Sequence, residues 1–193
     1  LRYRVRALPG RFSPRGQSMP LIVSLTLVVA PGCGPHDVGG YGGALMADEV
    51  TDGGVMVTPS FGARLGMSLD RCTSWPLRVE TQLMLEPGFA DDAGAVSVRN
   101  TGISVPILVG VAWPISGEDG FEIAALFGPE ARYDRVTTEV LGESSSDQFF
   151  SIAYQLQPSV AYRWSALRVV WLGLFRFDDP FQVGSALAVD FPL

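Results

Sequence analysis

From Val55 to Leu69 the chain alternates with period two over fifteen residues. Val55, Val57, Pro59, Phe61, Ala63, Leu65, Met67 and Leu69 share one side; Met56, Thr58, Ser60, Gly62, Arg64, Gly66 and Ser68 share the other. Side chains of an extended strand point alternately to its two faces, so this pattern predicts one long strand. The same period recurs over Leu77 to Leu85, Ile103 to Trp113, Phe121 to Tyr133, Phe150 to Trp164, Leu167 to Phe177 and Phe181 to Leu193. A Gly-rich stretch around Tyr41 to Ala47 supplies an eighth, weaker strand. No helical period follows residue 40, and no linker divides the remainder. Eight strands of roughly 9–15 residues predict an all-β fold, an eight-stranded antiparallel up-and-down barrel.

Two kinds of barrel alternate in this way, and they differ in which face is outside. A soluble calyx turns its apolar face inward, whereas a transmembrane barrel turns it to lipid. Here the apolar face of the seven clear strands carries no charge. It is also bulky, with Phe61, Phe121, Phe127, Tyr154, Tyr162, Trp171 and Phe175. An eight-stranded interior would be overpacked by that set. The opposite face is mostly Gly, Ala and Ser with opposed charges, which suits a narrow lumen. These features favour the transmembrane barrel. Its lumen would hold a charge network of Arg64, Arg78, Glu80, Glu86, Glu122, Glu130, Arg132, Asp134, Arg168, Arg176, Asp178 and Asp190. Residues 48–54, 87–101, 135–148 and 178–181 are then expected as outer loops, and 70–75, 115–119 and 165–166 as inner turns. Trp75, Trp113 and Trp164 fall at the inner rim. Phe89, Tyr133, Phe149, Phe177 and Phe181 fall at the outer rim. Aromatic rings favour the headgroup level, so both sets are expected at membrane interfaces.

Composition agrees. Charged residues are 18% of the 193, against about 25% in an ordinary globular protein. No stretch approaches the roughly 20 apolar residues of a membrane-spanning helix. Arg2, Arg4, Arg6, Arg11 and Arg15 precede the first acid, Asp37, and an apolar run from Leu21 to Ala30 leads into Ala30-Pro31-Gly32-Cys33. A basic segment, an apolar segment and small residues before the cut make an export signal. Residues 1–32 are therefore read as a leader, with Met19 as an alternative start, and 33–193 as the barrel domain. The cut site resembles a bacterial lipobox, which makes Cys33 a candidate for lipidation. The competing chemistry is a disulfide with Cys72 in an oxidising compartment; the two exclude each other at Cys33. Beyond the leader nine Arg face twenty acids, an acidic balance that argues against nucleic acid as a partner.

Ile103-Ser-Val-Pro-Ile-Leu-Val-Gly-Val-Ala112 followed by Ala125-Leu-Phe-Gly-Pro-Glu-Ala-Arg-Tyr133 resembles the paired fourth and fifth strands of the PorT-type outer-membrane β-barrel family. Leu83-Met-Leu-Glu-Pro-Gly88 is similar to that family's third strand. The resemblance covers about residues 40–193. It implies a small barrel in the bacterial outer membrane, with membrane lipids and the barrel-assembly machinery as partners. It implies no defined activity. The chain departs from the pattern at its end, Phe191-Pro-Leu193, which lacks a terminal aromatic.

Catalytic chemistry finds little support. Glu130, Arg132 and Asp134 fall on one face about 6.8 Å apart, and an Arg between two carboxylates suits structure better than acid/base work. His36, the one histidine, precedes the predicted strands, so a His-dependent hydrolase is not expected. Gly39-Gly-Tyr-Gly-Gly43 has no Lys-Ser/Thr after it and is not a phosphate loop. Asp48, Glu49, Asp52, Asp91, Asp92, Glu139, Glu143 and Asp147 make the outer loops acidic. No metal ligand set and no cofactor are expected. The expected role is non-enzymatic, structural or surface-binding. A narrow channel for small or hydrophobic solutes and a soluble periplasmic calyx for a lipophilic ligand are the alternatives.

Overall fold

The computed structural model of the chain describes residues 34, 36–48, 55–93, 96–116, 120–140, 143–178 and 181–193. The predicted leader and Cys33 lie outside them. Eight strands follow in order: β1 (His36–Asp48), β2 (Val55–Ser68), β3 (Leu77–Ala93), β4 (Val96–Pro114), β5 (Gly120–Val140), β6 (Glu143–Trp164), β7 (Leu167–Phe177) and β8 (Gln182–Pro192). Each runs antiparallel to the next. β8 returns to β1, from Asp37↔Pro192 to Ala47↔Gln182, and closes the barrel. Closure pairs the edges that an open sheet would leave exposed.

Within the closed barrel the strands sort their side chains by parity. On β5, Ala124, Leu126, Gly128, Glu130 and Arg132 are buried, while Phe121, Ile123, Phe127 and Tyr133 are exposed. The polar and small face is therefore inside and the bulky apolar face outside, as in a membrane barrel. On β1 the lumen positions begin with Asp37, Gly39 and Tyr41. Tyr41 stands opposite Gly62 on β2. A Cβ on Gly62 would sit 1.8 Å from the Leu83 carbonyl oxygen and 3.1 Å from the Tyr41 hydroxyl, so only glycine fits under that ring.

The strands differ in height. β7 and β8 have 11 residues each, whereas β5 has 21 and β6 has 22. Pairing of β2 with β3 stops at Phe61↔Leu85, and pairing of β6 with β7 stops at Tyr154↔Phe177. Above those points β3, β4, β5 and β6 continue as a four-stranded sheet, here called the crest. Its last pairs are Ala93↔Val96 and Val140↔Glu143. The expected loops 87–101 and 135–148 are thus mainly strand, a correction to the sequence reading. His36 likewise begins β1 rather than preceding the strands. At the opposite end the connections are short, and Thr73 caps one by donating to the Leu69 and Trp75 carbonyls.

Candidate functional site

The lumen holds two charged layers with an apolar layer between. At the short-turn end Arg78 donates to Asp37 and Glu80, and Arg64 donates to Glu80 and lies 3.6 Å from Asp190. Arg168 donates to Asp190 at 2.7 Å and to Glu122 at 2.5 Å, and Arg163 lies 3.6 Å from Glu122. Four Arg face four carboxylates in this layer. At the crest end Arg176 donates to both Glu130 oxygens at 2.9 and 2.6 Å, to Glu86 at 2.5 Å and to the Gln182 side-chain Oε1 at 2.6 Å. Arg132 lies 2.7 Å from Asp134, 3.2 Å from Glu86 and 3.7 Å from Asp178. Two Arg face four carboxylates there. The buried layer between includes Tyr41, Met84, Leu108, Leu126, Leu172 and Leu174, with Gln82 donating to Glu80 and Gln157 beside it.

These contacts span the lumen. Arg168 on β7 reaches Glu122 on β5, Arg176 on β7 reaches Glu86 on β3, and Gln82 on β3 reaches Gln157 on β6. Side chains from opposite walls meet, so the interior is filled. A buried charge is tolerated only when paired, because desolvation costs several kcal/mol per ion and partners must offset it. The twelve charges anticipated from sequence all lie in these layers. Asp37 and Arg163 also belong to them and were not anticipated. Their parity carried the signal: Asp37 shares the side of Tyr41, and Arg163 that of Gln155 and Gln157. Among the described residues no group of three or more His, Cys, Asp or Glu is placed to hold a metal ion.

The outward face is an apolar belt with two rims. Trp75, Trp113 and Trp164 are exposed at the short-turn end, where Tyr162 packs edge-on to Phe121 and Trp164 at 5.0 and 4.5 Å. Tyr133, Phe177 and Phe181 are exposed at the crest end, and the last two rings lie 5.6 Å apart. Phe149 does not join that rim. It is in register with Asp134 and stands on the lumen side of the sheet, while Phe150, opposite Tyr133, takes the belt position. One pleat further out the outward face changes character. The row Ile103, Tyr133, Phe150 gives way to Thr101, Arg135, Gln148, and Arg135 donates to Ser146 at 2.9 Å. From Phe121 to Tyr133 the belt covers twelve residue steps, about 41 Å of strand, which a tilt near 45° reduces to about 29 Å of height. That matches a bilayer's hydrocarbon core. Cys72, in the β2–β3 turn, is disulfide-bonded; the chain's one other cysteine is Cys33, outside the described residues.

No family model matches the chain, and no curated protein matches it by sequence. Solved structures match it by fold. The N-terminal β-barrel domain of OprF from Pseudomonas aeruginosa is similar with a TM-score of 0.56 at 10% identity, covering 82% of this chain and 97% of that one. Ail, the attachment invasion locus protein of Yersinia pestis, gives 0.54 at 13% identity, with 82% and 97% covered. Neisserial surface protein A gives 0.54 at 12% identity, with 81% and 96% covered. The fold is that of the small eight-stranded outer-membrane β-barrels.

Proposed function

We propose that the protein is a closed bacterial outer-membrane barrel with a non-enzymatic, surface-binding role, and that the crest is its working surface. The observation that carries this reading is the change on the outward face between the Ile103–Tyr133–Phe150 row and the Thr101–Arg135–Gln148 row. Below it the barrel is dressed for lipid; above it the outward face of a four-stranded sheet is polar, with Thr101, Arg135, Thr137, Ser146 and Gln148. A protein that only needed to span would gain nothing from the added strand length.

The filled lumen weighs against the channel reading, and the outward apolar belt weighs against the soluble calyx. The export leader, membership of the PorT-type family and handling by the barrel-assembly machinery belong to the same proposal; lipidation of Cys33 does not, because the disulfide of Cys72 leaves Cys33 as its one possible partner. Ail has been solved with the heparin analogue sucrose octasulfate. The charge here points the other way. Segments 48–54, 87–101, 135–148 and 178–181 contain ten carboxylates and two arginines, which favours a cationic partner over a polyanion.

The test is expression in a Gram-negative host, isolation of outer membranes, and electrophoresis with and without boiling. A membrane-bound band that shifts on boiling is expected, with no conductance in planar bilayers. A soluble, unshifted protein overturns the membrane reading, and step conductances overturn the closed lumen.

A further inference from the structure

Above Tyr154, β6 has a neighbour on one side only among the described residues. Residues 143–153 pair with β5, from Val140↔Glu143 to Glu130↔Ala153, and β7 does not reach them. That leaves eleven residues of free edge, about 37 Å long at about 3.4 Å per residue. A free edge presents unpaired backbone N–H and C=O groups and templates a further strand unless the sequence blocks it. The crest has two such edges, and they are built differently. On β3 the edge holds Pro87 and a register shift between Pro87 and Ala90, both devices that blunt an edge. On β6 residues 143–153 contain neither Pro nor Gly, and their register with β5 is unbroken.

We propose that the free edge of β6 takes up an extended basic segment of a partner protein as an added strand. This rests on the surface-binding reading above. Glu143 and Asp147 share the lumen-side face, two pleats apart, and neither has a cation within 4 Å among the described residues. Phe149 follows on the same face and is 54% exposed above the filled lumen. An incoming strand would therefore carry basic side chains opposite Glu143 and Asp147 and an apolar one opposite Phe149. The backbone ladder would supply affinity and the alternate side chains specificity. A second copy of this chain fits poorly: its β6 edge brings the same two carboxylates, and its β3 edge carries Asp91 and Asp92.

The experiment uses the full chain, folded in detergent micelles and checked by its shift on boiling. The probe is a ten-residue peptide alternating Lys and Val, compared with a Glu/Val counterpart and with a Lys/Val peptide N-methylated at alternate amides. The Lys/Val peptide is expected to bind at least tenfold more tightly than either control and to slow hydrogen exchange at residues 145–152. The exposed double variant Glu143→Arg/Asp147→Arg should weaken Lys/Val binding about tenfold and favour the Glu/Val peptide. Equal binding of the N-methylated peptide, or no protection on β6, overturns the proposal. So does edge protection that grows with protein concentration without peptide, which would make a second copy the occupant. A chain that fails to shift on boiling fails the barrel reading instead, so the two failures are distinguishable.

Discussion

Replacing Arg176 with Met tests the view that the lumen charges hold the barrel closed as a paired network. Arg176 is 1% exposed and makes four donor contacts, two of them to Glu130. Glu86 keeps Arg132 at 3.2 Å after the change. Glu130, fully buried, keeps no cation within 4 Å. Stranding one partner of a buried pair costs about 3–5 kcal/mol, because the desolvated charge remains while its compensation goes. With a urea slope of about 1–3 kcal/mol per M, the midpoint should fall by about 1–5 M. The assay is urea titration of the lipid-reconstituted barrel, reading the folded fraction from the boiling shift. The companion variant Arg176→Met/Glu130→Gln removes the stranded charge and should recover at least half of the loss. Arg176→Met within about 0.5 kcal/mol of the parent, the range of ordinary surface changes, would refute the network's role. A double variant no better than the single one would show that packing around the Arg stem, not charge pairing, set the cost.

Three further outcomes follow from the same geometry. Phe127→Arg places a cation near mid-belt and removes a stacked contact with Tyr154 at 5.8 Å, so it should cost about 2–4 kcal/mol, whereas Thr137→Arg on the crest should cost under about 0.5 kcal/mol in the same titration. Tyr41→Ala should cost about 3 kcal/mol by leaving a void over Gly62, and Gly62→Val should also destabilise because no Cβ fits there; a neutral result for either would disprove the packing. Maleimide labelling of the denatured, unreduced mature protein should find Cys72 blocked and reduction should free it; labelling without reductant would contradict the disulfide.

Where membrane faces the strands, the sequence was readable. Phe121, Ile123, Phe127 and Tyr133 alternate with Glu122, Ala124, Gly128 and Glu130 because lipid and lumen demand opposite chemistry from successive residues. Beyond Tyr133 and Phe150 both faces meet water. The pleat continues through Arg135, Thr137 and Glu139 and through Ser144, Ser146 and Gln148, but the hydrophobic period that betrays it is gone. Strand therefore looked like loop. β1 hid for another reason: Gly39, Gly40, Gly42 and Gly43 fall on both faces and blank out the alternation, so its start at His36 was not visible and the parity Asp37 shares with Tyr41 had no recognised strand to belong to. The lumen charges were identifiable by parity alone, but which Arg meets which carboxylate across the barrel depends on strand stagger and closure, and no local pattern encodes those.

Unequal strand height gives the molecule a compass. Among the described residues the strands of the β7–β8 and β1–β2 side end well below the tips of β3–β6, so the lumen-side face of the crest overlooks the shorter strands. The same geometry marks a place for engineering. An epitope inserted between Val140 and Glu143 would ride at the tip of the tallest hairpin, clear of the bilayer and of every lumen ion pair, whereas one inserted between Asp178 and Phe181 would sit beside Arg132 and its partners.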